Sequence, residues 1–93
     1  MNKLNFMLAT FLPEGLRQVA PSEVVCNQQP AGTNYLVEKF PSANDMYNNT
    51  NGTVAYNSTN FPVNALPVTA GQYVRLTLTK DGYEMSQSTL VAF

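Results

Sequence analysis

Six prolines punctuate this chain, and the first four, Pro13, Pro21, Pro30 and Pro41, stand eight to eleven residues apart. Each removes a backbone donor and disfavours helix at the residue before it. No long helix fits between them, whereas short strands do. The windows left are 16–20, 23–27 and 34–40, separated by the breakers Pro30-Ala31-Gly32 and Pro41-Ser42. In the third window Tyr35, Val37 and Lys39 oppose Leu36, Glu38 and Phe40, so neither face is purely apolar.

Beyond Pro41 the clearest element is Tyr73–Thr79. Val74, Leu76 and Leu78 alternate there with Tyr73, Arg75, Thr77 and Thr79, the period of a half-buried strand. Asp81-Gly82 supplies a turn, and 88–93 can return beside it as a hairpin. Residues 42–52 are mainly polar and read as a surface loop closed by an Asn51-Gly52 turn, before a strand at 53–58 carrying Val54 and Tyr56 on one face. Phe61-Pro62-Val63 and Leu66-Pro67-Val68 are proline-broken apolar pairs and read as an extended edge or crossover. Six or seven short strands with turns every 8–12 residues form an all-β pattern. The expected fold is one domain over residues 1–93: a small immunoglobulin-like β-sandwich at 13–93, with an apolar N-terminal arm or edge strand at 1–12. A small β-barrel is the alternative.

The run from Leu66 to Tyr83, with its Gly71-Gln72-Tyr73 entry, alternating strand and Lys80-Asp81-Gly82-Tyr83 exit, resembles the closing part of small immunoglobulin-like and prealbumin-like modules, such as carboxypeptidase-regulatory-like and collagen-adhesin B-type domains. Fibronectin type III strands look similar. The resemblance covers about a fifth of the chain. It implies a sandwich fold and a non-catalytic, adhesive or spacing role, and brings no functional residues with it.

The inventory for chemistry is small. The chain holds no His, so His-based triads and metal sites have no starting point. Cys26 is the single cysteine; no internal disulfide can form, and the expected role is a small apolar filler. The acids Glu14, Glu23, Glu38, Asp45, Asp81 and Glu84 are spread along the chain and are expected at the solvated surface. Asn49, Asn51 and Gly52 fall at calcium-loop positions, but Tyr47 and Ser58 stand where that loop requires carboxylates. Asn48, Asn51 and Asn57 each begin an N-x-Thr sequon, which matters only in a eukaryotic secreted protein. No catalytic residue, metal ligand or cofactor is assigned, and an enzyme is not expected.

Charged residues make up only 12% of the chain, and the net charge is −1 with Lys3, Arg17, Lys39, Arg75 and Lys80 scattered. Nucleic-acid binding needs clustered cations and is not expected. No window has the length of a membrane-spanning helix, and Met1–Leu12 is a poor signal peptide, because its short apolar run carries Asn5 and ends at Pro13-Glu14. Of eleven asparagines, seven lie between Asn44 and Asn64. Such a surface solvates through amides, and low charge also suits one covered by neighbours.

These features lead to a non-enzymatic assembly subunit as the expected function, of the kind that decorates or cements a phage capsid. The protein would be made in the cytoplasm and end in the virion. Its partners would be protein: itself, as a homo-oligomer, or a larger assembly. Leu4, Phe6, Leu8, Phe11, Leu12, Phe61 and Val63 are the expected contact residues. A carbohydrate- or protein-binding module is a second reading, using Tyr47, Asn49, Asn51 and Tyr56 by stacking and amide hydrogen bonds. A small phage-encoded inhibitor of a host enzyme is a third.

Overall fold

The computed structural model describes residues 7–64 and 67–93. Six strands and one short helix follow in the order β1 (Arg17–Ala20), β2 (Glu23–Val25), β3 (Asn34–Phe40), α1 (Ala43–Asn48), β4 (Thr53–Ser58), β5 (Tyr73–Thr79) and β6 (Ser86–Val91). The chain is mainly β, as its proline spacing predicts. Two antiparallel sheets form, a two-stranded β1-β2 and a four-stranded sheet in the order β4-β3-β5-β6.

The β3–β5 pair runs without a break from Asn34↔Thr79 to Phe40↔Tyr73. Directly opposed residues share a face, so Tyr35 and Val37 join Leu78 and Leu76 on one side. Val74, Leu76 and Leu78 are fully buried there, in the alternation the sequence shows. This face packs against Val24, Cys26, Val63, Val68 and Ala92, with Phe11, Leu16, Ala55, Tyr56 and Leu90 at its rim. Burial of a leucine of this kind contributes about 1.5–3 kcal/mol.

The other face of the four-stranded sheet mixes polar side chains that bond to one another with Phe40, buried there, and with Val54 and Val91, exposed on the two edge strands. Gln87 donates to Thr77 at 2.9 Å and Asn34 to Asn57 at 2.8 Å. Arg75 donates through Nη2 to Glu38 and to Asn49, both at 2.9 Å, and its guanidinium lies 4.9 Å from the centre of the Phe40 ring. Because Arg75 Nη1 also reaches the Met46 carbonyl at 3.4 Å, one side chain joins the sheet to α1.

Helix α1 replaces most of the loop expected at 42–52. Ser42 sits in extended backbone as the N-cap, and its Oγ accepts from the Asp45 amide at 3.2 Å while donating to Asp45 Oδ2 at 2.9 Å. The Ser42 hydroxyl thus caps the first turn, and the Asp45 carboxylate holds that hydroxyl, where a full capping box would take the N-cap backbone N–H. Asn49 ends the helix in the left-handed region at φ 54°, and Met46 is buried. Polarity alone favours a loop here; the cap and the one buried side chain decide for a helix. In the following turn Asn51, not Gly52, takes positive φ. Gly52 is required for another reason: a Cβ there would sit 2.5 Å from the Phe40 ring.

Other boundaries move. β1 starts at Arg17, β2 stops at Val25 so that Cys26 lies just past it, and β6 spans Ser86–Val91 rather than 88–93. Phe61–Val63 and residues 67–68 form no strand; they cross the end of the core and contribute Val63 and Val68 to it. Leu66 lies outside the described residues.

Candidate interaction surface

Residues 7–16, which precede β1, are attached to the body with little regular structure. Ala9 forms a single parallel bridge to Tyr83: its N–H donates to the Gly82 carbonyl at 2.9 Å, and its carbonyl accepts from Glu84 N–H at 2.8 Å. The Phe11 ring stacks on Tyr83 at 4.9 Å. Gln29 serves Leu12 as a stand-in strand, its Oε1 accepting from the Leu12 amide at 2.9 Å and its Nε2 donating to the Leu12 carbonyl at 3.1 Å. Asn27 Nδ2 donates to the Pro13 carbonyl at 3.1 Å, and the Asn27 amide to the Glu14 carbonyl at 2.7 Å.

Glu14 completes the attachment. Its carboxylate is buried and accepts from the hydroxyls of Ser86 and, at 2.7 Å, Ser88, both on β6. A solvated Glu14 was the sequence expectation; two hydroxyl donors compensate its burial instead. Glu38 is partly buried and pairs with Arg75. Cys26 is buried in the core, and its thiol pKa is raised, first by burial and then by the Glu14 charge, with Arg17 opposing. The thiol therefore stays protonated and weakly nucleophilic near neutral pH.

Apart from Thr10, what remains uncovered on residues 7–12 is apolar. Met7 is 85% exposed, Leu8 47% and Leu12 57%, with Met85 beside the bridge at 59%. Two shallow clefts flank it. One, of about 550 Å³, lies between 11–16 and Ser86, Ser88 and Thr89. The other, of about 400 Å³, lies at the β5–β6 turn among Gly32, Asn34, Lys80, Tyr83 and Met85. In the first, the Glu14 carboxylate and the Ser86 and Ser88 hydroxyls line one wall and are bonded to one another; among the described residues no group of three or more His, Cys, Asp or Glu could hold a metal ion. No described helix is long and apolar enough to cross a membrane.

The residues singled out in the sequence are placed as follows. Leu8, Phe11 and Leu12 lie together on the arm, while Leu4 and Phe6 lie outside the described residues. Phe61 packs on Tyr35 with ring centres 5.6 Å apart. Val63 is buried in the core, so the fold uses it and the surface does not. Tyr47, Asn49, Asn51 and Tyr56 are not brought to one surface. Tyr47 is exposed on α1, and Asn49 and Asn51 are bonded to Arg75 and Asp45. Tyr56 packs at the core rim on the opposite face, its hydroxyl donating to the Asn60 carbonyl at 2.6 Å. Sequence reasoning missed Glu14 and Gln29. A polar residue soon after or between apolar runs was the available signal, but their partners lie far along the chain.

Compared with known protein families, curated proteins and solved structures, the chain matches no family model, no curated protein and no solved structure.

Proposed function

We propose that this protein is a non-enzymatic structural subunit that assembles through its N-terminal arm, and that the assembly is a larger particle such as a virion shell. One observation carries the reading: Met7, Leu8 and Leu12 present exposed apolar side chains along a segment fixed to the body by its own hydrogen bonds, with exposed Met85 beside it. Covering apolar area contributes about 25 cal/mol per Å², and contiguous apolar patches on small proteins mark contact surfaces. On the Arg75 face of the four-stranded sheet the exposed apolar side chains Val54 and Val91 stand on opposite edge strands, separated by polar residues bonded to one another.

We also read the two sheets as the layers of a small immunoglobulin-like sandwich. The reading is supported by one buried cluster that takes Val24 and neighbouring Cys26 from one side and Tyr35, Val37, Val74, Leu76 and Leu78 from the other.

The test is solution mass by light scattering across a hundredfold dilution, for the full chain and for the Leu8→Ser/Leu12→Ser variant, together with mass spectrometry of purified particles. An assembly that survives dilution in the parent and is lost in the variant, with unchanged circular dichroism, supports the arm. An assembly indifferent to both substitutions overturns it.

A further inference from the structure

The bridge at Ala9 fixes more than the arm's position. Both backbone groups of Ala9 point inward, to Gly82 and Glu84. Along an extended chain these groups alternate in direction. Over residues 8–10 the N–H and C=O of Leu8 and Thr10 therefore point outward, and no described residue bonds to them; at Leu12 both groups bond to Gln29 instead, so the open edge ends before it. Natural sheets protect open edges with charges, prolines or bulges. β4 carries a bulge opposite Val37/Glu38, and β6 has its Ser86 and Ser88 side chains held by Glu14 and Phe93, two residues past its end, held by Gln18. The arm has neither device: no charged residue stands between Leu4 and Leu12, and its first proline is Pro13.

We infer that two copies of this chain pair through this edge, antiparallel, about a two-fold axis at Ala9. The inference rests on the reading of the arm as the assembly surface and names its occupant. In that register Leu8 of one copy faces Thr10 of the other, and each such pair exchanges its outward N–H and C=O groups. The match is self-complementary, as an isologous interface requires. It sets Met7 and Leu8 of one copy against Phe11 and Thr10 of its partner, an uncharged contact.

The register is open to a direct test. Ala9 faces its own copy across a pair without hydrogen bonds, where Cα atoms lie about 4.5 Å apart, within the span a disulfide bridges. Ala9 is exposed and Cys26 is buried. Under mild oxidation Ala9→Cys is expected to run mostly as a covalent dimer on a non-reducing gel. Met7→Cys is expected to stay monomeric there, because its two copies would lie roughly 14 Å apart along the strands. Thr10→Pro, which removes an outward donor, is expected to lower dimer affinity at least tenfold with unchanged circular dichroism.

Equal cross-linking by both cysteine variants would overturn this register. A full chain that is monomeric at every concentration would overturn self-pairing, while association of that monomer with particles through Leu8 and Leu12 would keep the arm as the contact. If assembly is lost in Leu8→Ser/Leu12→Ser but Ala9→Cys fails to cross-link, the arm reading stands and the paired edge falls. If assembly is indifferent to Leu8 and Leu12, both fall.

Discussion

Seven residues of β3 pair with seven of β5 through an unbroken backbone ladder, whereas residues 9–16 reach the same body through one bridge, one further backbone bond from Asn27 to Glu14 and a set of side-chain bonds. The ladder depends on the backbone alone and is backed by the buried face of Val74, Leu76 and Leu78. The arm depends on Gln29, Asn27, Glu14, Ser86 and Ser88. Order of the first kind survives most side-chain changes outside the core. Order of the second kind can be removed one residue at a time with the sheets intact, and local openings of low free energy concentrate in such segments.

The largest effect expected is at the ladder's core. Leu76→Ala should cost about 2–5 kcal/mol, the transfer term plus the cavity left behind. Denaturant unfolding would measure it, with arm and sheets lost in one transition. A smaller loss would mean that the core collapses around the gap. Next comes Gly52→Ala, where the added methyl must displace the Phe40 ring. Overpacking of this kind costs about 1–3 kcal/mol. Because Phe40 lies under the Arg75 guanidinium, the change should also shift the resonances of Arg75 and Glu38.

The arm gives the sharper side of the comparison. Glu14→Ala leaves the Ser86 and Ser88 hydroxyls without their acceptor in a half-buried place, a loss of about 1–3 kcal/mol. Hydrogen exchange should accelerate at the amides of Ala9, Leu12 and Asn27 while those of β3 and β5 keep their protection. Glu14→Gln should lose less, because one carbonyl oxygen remains and the second hydroxyl can rotate to accept from the new amide. Exchange rising equally in arm and ladder would show the two regions to be one cooperative unit.

The same division explains what could be read from the sequence. β5 is legible because its alternation is local and its buried face coincides with its apolar one. Gly82 at φ 81° is legible because the turn after β5 needs it. Glu14 is not: its partners are 72 and 74 residues away, and nothing nearby separates a clamped carboxylate from a solvated one. The helix stands between these cases. Ser42-Ala43-Asn44-Asp45 is a cap signal at the right spacing, but it is submerged in a polar stretch where composition points to a loop. The apolar content of the arm is equally plain in sequence. Which of its backbone groups face outward follows only from the bridge at Ala9.

Asp45 offers the smallest effect and a third way of holding a segment, local rather than by ladder or long-range clamp. Its carboxylate accepts from Asn51 Nδ2, Ser42 Oγ and Thr50 Oγ1, each at 2.9 Å. Its pKa is lowered below the usual aspartate value, first by the Asn51 bond, then by Ser42 and Thr50, with slight desolvation opposing. A group whose folded pKa is depressed binds its proton less readily in the native state than in the unfolded chain. Its contribution is therefore complete above the unfolded value of about 3.9 and is lost as pH falls through the lower folded value. Between neutrality and pH ~5 the α1 region should not respond to pH through this group. Below about pH 4 the turn at 49–52 should loosen, seen as faster exchange of the Thr50 amide, which donates to the Asp45 carbonyl at 2.9 Å. Asp45→Asn should bring that faster exchange to neutral pH and remove its dependence on acid, with β3 and β5 unchanged. An Asp45→Asn protein that kept the parent's acid response would show that another carboxylate controls the turn, and Glu38, joined to the same segment through Arg75 and Asn49, would be the next to replace.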